Sequence, residues 1–586
     1  MNITISRFWL LGFYNFLLFF FTIDIKAQDQ RPVLLVASNE NTEILNKFYG
    51  KTILSDSVGA IKLSKEIVQN LRAKGYLTAG LDSIAFFNNE IKVFLWIGQQ
   101  FQWARLDPGN VSETLLAQTG FKQAYFNNKN FYYPEVAALF SKILKYSENN
   151  GYPFASVVLD SIKVYDNQIH AKIYYNEGPF IAYDSLMIHG SSRIKKKFIA
   201  DYLKIVQGQP FKENNYREIS SRLKRLPYLQ LVEAPQVTFQ NNEGTIHLTL
   251  EDKKVNQIDG IIGFFPNAGN DDKLLLTGQF NLLLQNMFGT GKAMHLEWQK
   301  IKPLSQLLNI AYFHPNLLSS PLNVGTTFYL LKEDTTFINR DAGLNVSINK
   351  GLYSDISIYT KVRSSNILST TQYINTNIVP DFADFVLNSY GLGYQWRNLD
   401  DLFFPTRGLV FEVDGSVGNK KIKRNAKLPQ ELYEEISSRS LQLSINAEFS
   451  NYIPVKKRIV LLSRLKGGII DNEQLFLNDL FRIGGLHSLR GFNENFFFAS
   501  QFLTATGEVR MMLDQQSFLL LFADQGILKY NLTGNSIIDH PTGIGLGLNL
   551  ALEGGIFNFV YALGGSNSQS MNFQSSKIHF GYISRF

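Results

Sequence analysis

The stretch Arg482-Ile-Gly484-Gly485-Leu-His-Ser-Leu-Arg490-Gly491-Phe492 sets an arginine, Arg490, in a glycine-rich loop. Two acids, Glu508 and Asp524, follow on strand-like segments, and the sequence closes on Phe586 after an alternating strand. Such groups offer ion pairing rather than bond-making. A guanidinium is a rigid planar fork that fits carboxylates. Glycines let a loop approach a wall closely. Together these features suggest a transmembrane β-barrel with a loop pinned inside its lumen. Enzymatic readings fail. Gly289-Thr-Gly-Lys292 lacks Walker spacing and has Ala293 where Ser or Thr would stand, so it reads as a hairpin turn. The histidines are scattered, with no ligand spacing, and no nucleophile elbow is present. We therefore expect no enzyme, no cofactor and no metal.

The composition limits what can position these residues. Arg7 starts a segment whose Phe8–Ile23 run is nearly all apolar, and Ile25-Lys26-Ala27 ends on a small residue. Residues 1–27 read as a signal peptide cleaved after Ala27. An uncleaved anchor is the alternative, but Asp24 and Lys26 close off the run. The absence of cysteine excludes a lipoprotein anchor, disulfides and thiolate metal sites. Beyond the signal, no window reaches the roughly 18 apolar residues of a membrane helix. Yet the chain holds 47 Phe, 27 Tyr and 43 Gly. A closed barrel reconciles these facts, because in lipid every backbone polar group must pair internally and only alternate side chains face outward. The net charge of +7 comes without a basic stripe interleaved with aromatics, so nucleic acid is not expected.

The character of the chain changes near residue 253. Before it, helical and strand patterns alternate in a weak repeat. Gly75-Tyr76 recurs as Gly151-Tyr152 and, degenerately, as Pro227-Tyr228, at intervals of about 76 residues. Leu81-Asp-Ser-Ile84 recurs as Leu159-Asp-Ser-Ile162. Each marker follows an expected amphipathic helix (58–74, 133–149 and 215–225) and precedes a strand pair that turns on Asn or Asp, as at Asn88-Asn89 and Asp166-Asn167. The unit reads as a small α+β module. The third copy, with a strand at 185–188 and helices at 193–206 and 211–225, has the order β-α-α-β-β and resembles the polypeptide-transport-associated (POTRA) domain. We place modules at 28–107, 108–182 and 183–253. Such modules leave a sheet edge open to an added peptide strand.

From 254 to 586 only strands and turns appear. At about 20 residues per strand and turn, this length allows about 16 antiparallel strands. Leu441, Leu443, Ile445, Ala447 and Phe449 interleave with Gln442, Ser444, Asn446, Glu448 and Ser450. The period of two fits lipid outside and a wet lumen inside. The last strand carries Phe580, Tyr582 and Phe586 on one face, and we expect these to form the terminal recognition signal of the barrel.

The barrel half resembles the outer-membrane assembly-factor superfamily, whose members include BamA and TamA. With the modules, the resemblance covers nearly the whole mature chain. Its anchors are Gly484-Gly485 through Arg490-Gly491-Phe492, Glu508-Val-Arg510 and Phe522-Ala-Asp524-Gln-Gly526, with weaker matches at Phe404–Gly408 and Asn286–Gly291. Each is common alone; their order and spacing make the set specific. The resemblance implies a loop inserted in the lumen, with Arg490 paired to Glu508 and Asp524 on the inner wall. Glu508 shares its face with Thr504, Thr506 and Arg510, as suits a lumen. Asp524 shares parity with Phe518, Leu520 and Phe522, which departs from a polar lumen. The resemblance also implies a seam between the first strand, near Ile258–Phe265 with Gly260 and Gly263, and the last, with Gly581. We expect a bacterial outer-membrane protein with periplasmic modules. It would insert or translocate unfolded outer-membrane clients, meeting outer-membrane lipid and possible periplasmic or inner-membrane partner proteins. A two-partner secretion exporter is one alternative, although such exporters usually carry two modules and a plugging helix. A passive porin or surface receptor is another, and it leaves the repeats unexplained.

Overall fold

The computed structural model describes residues 31–38, 45, 52–54, 57–87, 90–266, 274–300, 304–371, 381–434, 436–532 and 535–586. The expected signal peptide and the Asn88-Asn89 turn lie outside the described residues. The chain divides into two compact units, one running to Ile181 and including Pro210–Lys212, the other Ala182–Gln209 with Glu213–Phe586.

The first unit holds two α+β modules. In the first, strand Arg31–Ala37 runs parallel to Ile91–Trp96, flanked by Thr52–Leu54 and Gly80–Phe86. Helix Ser57–Ala73 turns Ala60, Ile67, Val68 and Leu71 into the core, where they meet Val93 and Leu95. The opening strand of this module was not singled out in the sequence. In the second, Gln102–Asp107 runs parallel to Gln168–Asn176, and Ser156–Tyr165 forms the free edge. Helix Glu113–Thr119 starts on a Ser112 cap, whose hydroxyl accepts from the Leu115 N–H, and stops at left-handed Gly120. Helix Tyr133–Glu148 buries Val136, Leu139 and Ile143 against Trp103 and Ile173. The repeat marker now has a cause. Gly75 and Gly151 adopt φ of 96° and 94°. A Cβ there would lie 2.5 Å from the Phe131 carbonyl oxygen and 2.4 Å from the Phe180 ring, respectively. Only glycine fits both demands.

The second unit opens with a third module. Strand Ala182–His189 runs parallel to Glu243–Asp252, which also pairs with Leu229–Leu231 and Gln236–Gln240. Its helices, Lys196–Leu203 and Glu213–Leu223, are shorter than expected from sequence. The first ends because Lys204 takes a left-handed conformation, φ 60°.

A closed antiparallel barrel follows. Its strands run from Gln257–Pro266 (first) to Lys577–Arg585 (last). Segments Asn535–Asp539 and Thr542–Leu552 both pair with Phe518–Leu532, so they are one strand interrupted at Pro541, and the total is 16 strands. Alternation sets the faces. Leu441, Leu443 and Ile445 are exposed outward, while Gln442 and Ser450 are buried inward. Asn286–Gly291 is the expected hairpin turn. Asn286 closes it by accepting from the Gly291 N–H at 3.0 Å, and the Gly289 carbonyl accepts from Lys195 of the third module at 2.8 Å.

Candidate functional site

The loop between the eleventh strand, Ile459–Asp471, and the twelfth, Gln501–Met512, carries the candidate site. Its stem is a two-stranded ladder, Phe481–Ile483 against Phe497–Ala499. The tip between them bends on Gly484 and Gly485, with φ of 124° and 101°. It is held in shape by Ser488, which accepts from the Gly484 N–H at 2.8 Å, and by Glu494, which accepts from the Leu486 N–H at 2.8 Å. Leu489 and Phe492 are fully buried, and Phe492 meets Phe497 edge-on with ring centres 4.8 Å apart. Burying one such ring contributes about 1.5–3 kcal/mol.

Arg490 lies at the centre. Its Nε and one terminal nitrogen donate to the two Asp524 oxygens at 2.8 Å each, and its other terminal nitrogen donates to Glu508 at 2.8 Å. Its backbone N–H also donates to Asp524, at 3.1 Å. Arg510 donates to the second Glu508 oxygen at 2.6 Å. The Arg490 guanidinium lies 3.5 Å from the centre of the Phe522 ring. Arg490, Glu508 and Asp524 are all buried, so the structure brings the three named residues into one bidentate, ring-backed cluster. Asp524 keeps its apolar parity: Phe518, Leu520 and Phe522 are buried on the same inner face, whereas Leu519 and Leu521 are exposed outside. The inner wall around the charged cluster is therefore largely apolar, in contrast to the wet wall expected from alternation.

Three contributors went unread in the sequence. A Cβ on Gly543 would lie 2.1 Å from the Arg490 carbonyl oxygen, and one on Gly564 would lie 2.3 Å from that of Gly491. Gln569 donates to the Gly491 carbonyl at 3.2 Å and the Gly564 carbonyl at 2.9 Å. A signal existed for the first. Gly543, Gly545 and Gly547 alternate on the inner face of one strand, where a Cβ on Gly545 would meet the Phe522 ring at 2.6 Å and one on Gly547 would meet Leu520 at 3.1 Å.

At the seam, the first and last strands pair only through Gln257–Arg585 and Ile258–Ser584. Gly260 and Gly263 pair with Phe280 and Thr277 of the second strand, and Gly581 pairs with Asn558 of the fifteenth. These three glycines thus sit beyond the closing ladder. A Cβ on Gly581 would meet nothing within 4 Å. Phe580, Tyr582 and Phe586 are exposed on the outer face, and the Phe586 N–H donates to the Asn256 carbonyl at 3.1 Å. Among the described residues, no group of three or more His, Asp or Glu gathers as metal ligands would.

The fold is shared with solved structures at low sequence identity. CdiB from Acinetobacter baumannii aligns with a TM-score of 0.54 at 16% identity, over 83% of this chain and 89% of that one. CdiB from Escherichia coli aligns with a TM-score of 0.51 at 12% identity, over 90% and 97%. BamA from Haemophilus ducreyi lacking POTRA domains 1–3 aligns with a TM-score of 0.43 at 14% identity, over 83% and 100%. No curated protein matches the chain. The sequence pattern of the Omp85 superfamily domain matches residues 286–586, more than half of the 586 residues, and the chain belongs to that superfamily.

Proposed function

We propose that this protein inserts or translocates other polypeptides at the outer membrane, taking them up on its modules and releasing them at the seam. A 16-strand barrel of the Omp85 superfamily implies an outer-membrane location, with the modules then in the periplasm. The observation that carries the proposal is the closing ladder. It has two residue pairs, against ten between the first and second strands and eight between the fifteenth and last. In lipid each unpaired backbone group costs several kcal/mol. A short seam is therefore where an incoming strand gains most by pairing, and where the barrel opens at least cost. The modules supply matching edges: Gly80–Phe86 and Ser156–Tyr165 end their sheets, and an extended client can add there through main-chain bonds. The free energy comes from the client's own burial in lipid, and the chain's groups need perform no bond chemistry.

The test uses the absence of cysteine. Ile258→Cys with Ser584→Cys, a register pair of the seam, creates a unique bridge. The oxidised protein in liposomes should fail to insert a urea-unfolded outer-membrane client, and reductant should restore insertion. Equal insertion in both states would reject release at the seam. Export through the lumen is the second reading. It is favoured by a cavity of about 490 Å³ between the third module and the barrel wall, lined by Tyr202, Tyr228, Asn345, Ser347, Gln395 and Asp414. An exporter would keep passing polypeptide with its seam bridged. A passive pore would conduct ions and ignore the client.

A further inference from the structure

The inserted loop has a second set of contacts, with barrel strands other than those that hold Arg490. Its base, residues 472–480, precedes the stem. There Lys420, on the inner face of the ninth strand (Gly408–Ile422), pairs with Asp479, and both side chains are 0% exposed. The Lys420 ammonium also donates to the Gln474 carbonyl at 3.0 Å. It lies 4.7 Å and 4.9 Å from the ring centres of Phe385 and Phe476. The neighbouring Asn478 side chain donates to Ser365 Oγ at 2.6 Å and to the Ala383 carbonyl at 2.7 Å. It also accepts from the Ala383 N–H at 3.2 Å, while the Asn478 carbonyl accepts from Asn339 at 3.0 Å. These partners lie on the sixth, seventh and ninth strands and just ahead of the eighth; those of Arg490 lie on the twelfth and thirteenth. One loop thus spans the lumen from wall to wall.

The two attachments differ in what their release leaves behind. If Arg490 withdraws, Asp524 loses its cation while Glu508 still holds Arg510. If the base withdraws, the buried Lys420–Asp479 pair separates, and the four hydrogen bonds of Asn478 with Asn339, Ser365 and Ala383 break with it. Each release uncovers a buried charge, and release of the base breaks the larger set of hydrogen bonds besides, so it is the costlier. Between base and tip stand Gly484 and Gly485, both at positive φ, a backbone state from which glycine moves freely.

We infer that the loop is a two-part device: a fixed base, positioned by Lys420, Asp479 and Asn478, and a tip, held by Arg490, that swings on Gly484-Gly485. The base keeps its side of the lumen filled whether or not the tip moves. This deepens the proposed function, resting on the reading that the barrel changes state in use, but its principal assay needs no client.

The experiment is bilayer conductance of the full-length protein. Lys420→Met should raise conductance about ten-fold or more, because a leaving base unblocks the lumen. Arg490→Ala should raise it far less, and Lys420→Arg should restore the parental value. Parental conductance in Lys420→Met would overturn the inference, as would equal rises in Lys420→Met and Arg490→Ala. Heat-modifiable migration reports folding of each variant. Should the Lys420 variants fail to fold, Ser365→Cys with Asn478→Cys decides. Bridging this contact should leave the response to Arg490→Ala, and any client insertion, as in the reduced protein. A bridge that abolishes either would show a moving base and overturn the inference. If the parent inserts no client, the proposed function fails while the conductance comparison still reads the base.

Discussion

Truncating Arg490 to alanine isolates the tip attachment, and the structure sets its size. The change removes three charge-assisted hydrogen bonds, two to Asp524 and one to Glu508, and the contact with Phe522. Afterwards Glu508 retains Arg510 at 2.6 Å. Asp524, whose side chain is 1% exposed, retains only the backbone N–H of residue 490. One carboxylate is stranded instead of two. Removing one partner of a buried pair costs about 3–5 kcal/mol, and the surviving Arg510 contact places this case at the low end. Loss of the cation–π contact adds about 1–2 kcal/mol. Water entering the space left by the truncated side chain offsets a similar amount. The net is about 3 kcal/mol, a shift of about a hundred-fold toward a detached tip. The barrel ladders do not pass through Arg490, so heat-modifiable migration and membrane location should remain parental. Protease cleavage within 484–495 should rise and client insertion fall. Asp524→Asn should loosen the tip more than Glu508→Gln, because two of the three side-chain bonds end on Asp524. Parental cleavage and insertion in all three variants would refute the latch, and the opposite ranking of the two acids would refute this division of its energy.

Further expectations follow from individual contacts. Gly543→Ala puts a methyl 2.1 Å from the Arg490 carbonyl oxygen and should expose the tip to protease, whereas Gly581→Ala, with nothing within 4 Å, should be silent. Arg225→Ala breaks a 3.0 Å pair with Asp355, each side chain 23% exposed, and a hydrogen bond to the Leu352 carbonyl, so about 1–2 kcal/mol is at stake; hydrogen exchange in helix Glu213–Leu223 should rise modestly. In the second module, burial raises the Asp107 carboxyl, but hydrogen bonds from His170 and Arg105 outweigh it and hold the group below its ordinary range. A depressed folded value gives stability that is present above about pH 4 and lost as pH falls through that folded value. The urea midpoint of a fragment spanning residues 28–253 should drop there in the parent and less in Asp107→Asn.

What the sequence disclosed followed the reach of its signals. Period-two alternation such as Leu441–Phe449 is a local pattern, and it located barrel strands well because every second residue faces lipid. The Gly-Tyr marker located modules because two glycines at positive φ sit against fixed neighbours. The third module's first helix stops early at Lys204, whose left-handed turn no local motif announces. Lys420 was invisible for a different reason. It shares parity with Glu412, Asp414 and Ser416, so it reads as one more polar residue of a wet wall. Its partner, Asp479, lies on a loop 59 residues away. No local motif joins them, and only the insertion of the loop creates the pair.

The apolar parity of Asp524 marks where the loop docks. A barrel strand needs apolar residues on one face only. The thirteenth strand carries them on both, with Leu519 and Leu521 42% and 62% exposed outside and Phe518, Leu520 and Phe522 at 6–7% inside. An inner face that is apolar must be covered, since water in a lumen would not tolerate it. The neighbouring strand makes room with Gly543, Gly545 and Gly547 on its inner face, against Arg490, Phe522 and Leu520. Bulk on one strand beside an alternating glycine row on the next is therefore the footprint of something docked inside. The buried, apolar surroundings also explain why a single arginine suffices as the latch. Away from water its bonds to Asp524 and Glu508 are barely screened, and the fork must find carboxylates or leave the wall altogether. The apolar stripe thus makes the tip's hold strong when seated and abrupt when lost, which is the behaviour a two-state gate requires.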